Sequence, residues 1–123
     1  MLTVEQEPTE EQFTSAFQQA EEGEVIFEGV QDGDRVTVTK KNGQPVVDSV
    51  AEDTGESRAA SFCHATAMGA VLALGAAGLS FLAASGGGYI LGTIFLSSRV
   101  AGQLSAALAG GGAVSTLVSQ YIC

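Results

Sequence analysis

The sequence predicts an α+β chain in two parts. A small N-terminal helix plus a three-stranded antiparallel sheet comes first, and an all-α hydrophobic helical hairpin or three-helix bundle follows. Three observations carry this expectation. All fourteen Asp and Glu residues lie between Glu5 and Glu56, whereas residues 59–123 hold one formal charge, Arg99. The acidic half alternates a helical period with period-2 segments separated by turn residues. The second half is Ala, Gly, Leu, Val, Ile, Ser and Phe, cut by two glycine triplets.

Four basic residues, Arg35, Lys40, Lys41 and Arg58, stand against the fourteen carboxylates, so residues 1–58 carry a net charge of −10. Arg99 gives residues 59–123 a charge of +1, which completes the overall −9. So sharp an asymmetry divides the chain by task. The division is an acidic α-β-β-β part (1–50), a linker (51–58) and a hydrophobic Gly/Ala-rich part (59–123). Carboxylates at this density repel phosphates and anionic lipid, which excludes nucleic acid as a partner. Residues 1–11 show neither a basic n-region nor an apolar run. The expectation is therefore that no secretory signal opens the chain, and that export uses a leader-reading transporter or the hydrophobic segment itself.

Residues 1–8 read as a loose polar arm ending at Pro8. Thr9-Glu10-Glu11-Gln12 is a capping box, with Thr9 as N-cap and Gln12 reaching back to it. Glu10 and Glu11 sit near the positive end of the helix dipole. Phe13, Ala16, Phe17 and Ala20 fall at i, i+3, i+4 and i+7, a single narrow apolar face. A helix over 10–22 with Gly23 as its stop follows. Packing on a small sheet accounts for its apolar face, and a recognition helix read by an export or processing partner is compatible with that.

Three strands come next. Residues 24–28 form the first, and Gln31-Asp32-Gly33-Asp34 signals a turn. Residues 35–40 alternate, with Val36 and Val38 on one face and Thr37 and Thr39 on the other. Asn42-Gly43 is the favoured two-residue hairpin turn, because both central positions take positive φ. Val46, Val47 and Val50 mark the third strand, with Pro45 at its start, where a missing N–H is tolerated. A unit of this size buries little core by itself and depends on contact with the remainder of the chain.

Residues 51–58 are acidic and lack apolar anchors, the composition of an exposed linker open to proteases. Cleavage between Arg58 and Ala59 would release the apolar block. An ordinary loop has the same composition, and no double-glycine processing motif stands there. Residues 60–84 are then free of formal charge and exceed the roughly 20 residues that cross a bilayer core. Small residues recur at Gly69, Ala73 and Ala77, a spacing that lets a second helix approach closely. Gly86-Gly87-Gly88 breaks this segment, residues 89–109 form a second apolar helix, Gly110-Gly111-Gly112 breaks the chain again, and residues 113–123 form a short third helix. The two triplets read as hinges. Arg99 is expensive at a bilayer centre and belongs at an interface, a kink or a pore lumen. Helices apolar nearly all round sit in a core or in lipid. Three of them in 65 residues cannot all be interior, so the block needs a cover or a membrane, and the acidic half is a cover within reach.

Enzymatic chemistry is not indicated. His64, the sole histidine, adjoins Cys63, but adjacent helical residues do not face each other as a catalytic pair must. The glycine triplets carry no GK[ST] and hence no phosphate loop. The carboxylates show no EF-hand spacing, and no cofactor or metal is called for. Cys63 and Cys123 fit no metal or redox spacing. They stand as two thiols in apolar surroundings or as one disulfide, and their bracketing of the hydrophobic block favours the disulfide. Closing that loop would stabilise by roughly 4 kcal/mol in the chain-entropy model and would imply an oxidising compartment.

An acidic structured leader followed by a nearly uncharged Gly/Ala-rich block between Cys63 and Cys123 resembles the precursors of membrane-active bacteriocins and halocins. The resemblance implies a secreted membrane-permeabilising peptide or toxin released near residue 58. It further implies a target-cell lipid bilayer, an export transporter, a processing protease, an immunity protein and self-association as partners. The block departs from the cationic pattern of many bacteriocins, so its membrane attraction would be hydrophobic or receptor-led. Two other readings stay open: an uncleaved small integral membrane protein of holin-like or accessory type, and a soluble interaction module with an apolar helical interface.

Overall fold

A computed structural model describes residues 1–31, 33–51, 64–90, 94–112 and 114–121. Its acidic half begins with a short strand, β1 (Leu2–Thr3), and one 3-10 turn (Val4–Gln6). Helix α1 (Glu10–Gln19) starts where the capping box places it. Thr9 Oγ1 accepts from the Gln12 N–H at 3.2 Å, and Gln12 Oε1 accepts from the Thr9 N–H at 2.8 Å. The helix ends three residues before the expected Glu22. Lys40 Nζ donates to the carbonyls of Phe17 (3.2 Å) and Ala20 (3.1 Å), so a cation from the sheet satisfies the negative end of α1.

Strands β2 (Val25–Gln31), β3 (Asp34–Lys41) and β4 (Gln44–Ala51) form an antiparallel meander. Asn42 (φ 53°) and Gly43 (φ 73°) supply the two positive-φ positions of the β3–β4 turn. Register places Phe27, Val38 and Val47 in one cross-strand row, and all three are buried. A bulge between Val25 and Phe27 shifts the β2 register by one residue, so both Ile26 and Phe27 are buried.

The expected three-stranded antiparallel sheet followed by a helical hairpin or bundle is overturned. The sheet has six strands in the order β1-β2-β3-β4-β5-β6 and is mixed. Strands β5 (Gly88–Ile90) and β6 (Ile94–Leu96) come from the apolar block, where residues 89–109 were expected to be helical throughout. Strand β5 pairs parallel to β4 through Val46↔Tyr89 and Val47↔Ile90, and β6 pairs antiparallel to β5. At the other edge β1 lies parallel to β2. The α+β class holds, but the two kinds of structure interleave along the chain. Physically, Tyr89-Ile90 and Ile94-Phe95 are β-branched and aromatic, and short apolar runs of that kind suit a strand as well as a helix. Gly87 and Gly88 allow the pairing to close. A Cβ on Gly87, whose φ is +99°, would lie 2.6 Å from the Leu96 carbonyl oxygen. One on Gly88 would lie 2.9 Å from that of Pro45.

Three helices complete the apolar half: α2 (His64–Ala84), α3 (Ser98–Gly110) and α4 (Val114–Tyr121). Helices α1 and α2 pack on the sheet, whereas α3 and α4 pack mainly against α2. The result is one hydrophobic core. Phe13, Phe27, Val36, Val38 and Val47 from the acidic half share it with Val71, Leu79, Phe81, Leu82, Leu104 and Val118. Phe13 is its junction. The ring is fully buried, with its centroid 5.3 Å from that of Phe27 in β2 and 5.6 Å from that of Phe81 in α2.

Replacing Phe13 with Ala removes a ring that touches both halves, and large-to-small changes of this kind destabilise by about 3–5 kcal/mol. Urea titration of Phe13→Ala is expected to lower the midpoint of strand and α3 amide signals together. A shift confined to the acidic half would contradict the shared core.

Candidate functional site

The segment that calls for an explanation is α2. Its 21 residues contain no Asp, Glu, Lys or Arg, and of its described side chains only Leu72 and Ala84 are exposed. Ala70, Val71, Ala73, Leu74, Leu79, Phe81 and Leu82 are buried on almost every side of the axis. The second half of α2 is held from two directions. From the acidic half, the Phe17 ring meets Phe81 edge-on at 5.4 Å between centroids. Phe13 closes over Gly78, where a Cβ would come within 3.3 Å of the Phe13 ring. From α3, Ser105 Oγ donates to the Ala76 carbonyl at 2.8 Å. The proton on Ser105 is thereby committed, so Ser80 donates the 2.6 Å bond between the two hydroxyls. This clasp puts the polar groups of two apolar helices in contact with each other at their interface.

Helix α2 is not continuous. Gly75 adopts φ 70° and ψ −178°, which splits it into arms of residues 64–74 and 76–84. At 1.5 Å per residue the arms are about 16 Å and about 13 Å long, well short of the roughly 30 Å of a bilayer core. No helix among the described residues is long and apolar enough to cross a membrane. The bend borders a groove of about 370 Å³ whose lining includes Val4, Pro8, Phe27, Leu72, Gly75 and Ala76.

The residues singled out in the sequence fall in different places. Gly86 and Gly87 turn the chain from α2 into the sheet, both with positive φ, and Gly88 pairs with Leu96 inside it. Gly110 is the last residue of α3, and Gly111 takes the left-handed conformation that ends that helix. The N–H groups of Gly111 and Gly112 both reach the Ala107 carbonyl. Gly86–Gly88 and Gly110–Gly112 therefore lie some twenty residues apart, at opposite ends of the β5–β6–α3 stretch. Arg99 is exposed in the first turn of α3, after the Ser97 cap. His64 is the first residue of α2. Cys63, Cys123, Arg58 and Ala59 lie outside the described residues, so the disulfide and the processing site do too. Among the described residues no three His, Cys, Asp or Glu side chains are grouped as metal ligands would be.

Gly75, Ser80 and Ser105 were not singled out in the sequence. The signal available was a lone glycine inside an uninterrupted apolar helix pattern, together with two hydroxyls in otherwise apolar helices. A second surface feature is the aromatic end of the sheet. Tyr89 and Phe95 meet edge-on at 5.3 Å between centroids, and Phe95 is half exposed. No protein-family model, curated protein or solved structure matches this chain.

The clasp yields a direct expectation. Ser105→Ala leaves the Ser80 hydroxyl without its acceptor and the Ala76 carbonyl without its second donor, a loss of about 1–3 kcal/mol. Thermal unfolding of Ser105→Ala should show this loss, and Ser80→Ala combined with it should add little. Additive losses would mean that the two hydroxyls do not act as a pair.

Proposed function

We propose that this chain is the precursor of a membrane-active peptide or toxin, held in a covered state. The apolar part from about residue 59 onward is the active part. The acidic part covers it before release by cleavage near residue 58, between Arg58 and Ala59, and keeps the precursor in solution by its charge. The observation that carries this reading is the shared core, in which α1 and the strands of the acidic half bury an uncharged helix that has almost no polar side. Removing residues 1–58 would take away Phe13, Phe27, Val36, Val38 and Val47, and with them one wall of that core. The surface uncovered in this way is large and apolar, the kind that seeks lipid or a partner.

The partners of such a peptide are a target-cell bilayer, an export transporter and a processing protease, with an immunity protein and further copies of the peptide as additional candidates. The site of action is outside the producing cell. Because the released part carries only Arg99, its attraction to lipid is hydrophobic and tolerates salt. The acidic part, at −10, disfavours anionic membranes while it remains attached.

The test uses a full chain in which residues 53–58 are replaced by the recognition sequence of a site-specific protease. Phosphatidylcholine vesicles loaded with a self-quenched dye report permeabilisation. The expected result is at least about tenfold more leakage after cutting than before, with little change between low and high salt. Intact mass measurements on the producing culture, with and without reductant, supply the second arm. They are expected to find a released species beginning near Ala59 that gains two hydrogens on reduction. Uncut chain confined to the membrane fraction would instead favour the integral membrane reading. Uncut chain in the cytosol, inert toward vesicles even after cutting, would favour an interaction module.

A further inference from the structure

We infer that Gly75 is the conformational switch of the apolar segment. In the covered state α2 is held bent at this residue, and straightening it produces one uncharged helix of bilayer length. The inference rests on the membrane-active reading above and adds to it the device that keeps the segment inactive.

Four observations converge on it. The conformation of Gly75, φ 70° and ψ −178°, belongs to a region that only glycine enters freely. Nothing lies within 4 Å of a Cβ built there, so a methyl at this position meets no neighbour in the bent state, and the adjoining groove leaves space beside the bend. The arm after the bend is gripped by Phe13 and Phe17 from the acidic half and by Ser105 from α3. Finally, a straight helix over His64–Ala84 would be about 31 Å long, against a hydrocarbon core of about 30 Å.

Water and lipid therefore favour opposite states. In the aqueous fold the bend lets both arms lie in one small core and keeps most of α2 out of water. In a bilayer a bend exposes backbone N–H and C=O groups to hydrocarbon, and a continuous helix satisfies them internally. The bilayer thus interacts differently with the two states, which is the requirement for shifting the balance between them. Loss of residues 1–58 removes the aromatic grip of α1 and leaves the arm after the bend held only from the apolar half, by the Ser105 clasp and the packing of α3 and α4.

The test uses the full chain in three forms that differ at position 75 alone: Gly, Gly75→Ala, and D-alanine introduced by ligating a synthetic segment at Cys63. The L-alanine methyl meets no neighbour but disfavours positive φ, and so favours the straight helix. D-alanine at this φ and ψ occupies the mirror image of an ordinary extended conformation, and so favours the bend. Leakage of phosphatidylcholine vesicles by uncut chain is expected to rise about tenfold with L-alanine and to fall about tenfold with D-alanine. Spin labels at Leu72→Cys and Ala84→Cys, with Cys63 and Cys123 changed to Ser, report the bend itself. Their backbone separation should approach about 18 Å on vesicles, the straight-helix value, and Gly75→Ala should move toward it already in water. Equal leakage by all three uncut forms, with the protease-cut chain still active, would overturn the switch and leave the membrane reading standing. Absence of vesicle binding by every form, cut or uncut, would overturn both.

Discussion

A helix that is apolar around its whole circumference has no side that it can leave in water. Most of this fold is arranged around that constraint. Helix α2 needs cover from several directions, and 65 residues of mainly apolar chain cannot supply all of it. The sheet and α1 supply part, α3 and α4 supply the rest, and the two short strands β5 and β6 extend the sheet on the apolar side. Between α2 and α3, the Ser80 and Ser105 hydroxyls and the Ala76 carbonyl are hydrogen-bonded to one another. Phe13 shows how close the dependence is, since one side chain of the acidic half lies against both β2 and α2.

This arrangement gives the charge asymmetry a physical meaning. Among the described residues, the acidic half contributes apolar side chains such as Phe13, Phe27 and Val38 to the core while most of its carboxylates are exposed. In the function proposed for it, cover and solubility would come from the same part of the chain and would be withdrawn together if that part is removed. The bend at Gly75 fits the same scheme. A straight 21-residue helix would run about the full diameter of a small domain, whereas the bend divides α2 into arms of about 16 Å and about 13 Å that both contribute to the same core.

Local structure was legible in the sequence wherever a few adjacent residues decide it. The Thr9–Gln12 capping box, the Phe13 and Phe17 face, the alternation of Val36 and Val38 and the Asn42-Gly43 turn each rest on contacts within a few positions, and each is present. The C-terminal end of α1 was not legible, because Lys40 of β3 caps it from twenty residues away. Strands β5 and β6 were missed for a related reason. Tyr89-Ile90 and Ile94-Phe95-Leu96 become strands only because β4 offers an edge, and nothing within the apolar run reports that edge. Treating the apolar block as self-contained concealed the shared core. The bend at Gly75 was not legible because composition identifies a glycine but not its φ, and the two glycine triplets that follow it, at 86–88 and 110–112, are the more visible breaks.

The central claim is that the acidic and apolar halves form one cooperative core in which the first covers the second. Native-state hydrogen exchange on the intact chain tests it most directly, by comparing the slowest amides of the two halves under increasing denaturant. The account predicts that amides of Val36 and Val47 in the sheet and of Leu79 and Leu104 in the helices exchange with a common opening free energy and a common denaturant dependence. Helix amides that open well below the strand amides, with a separate and smaller denaturant dependence, would contradict it and would divide the chain into two independently folding parts.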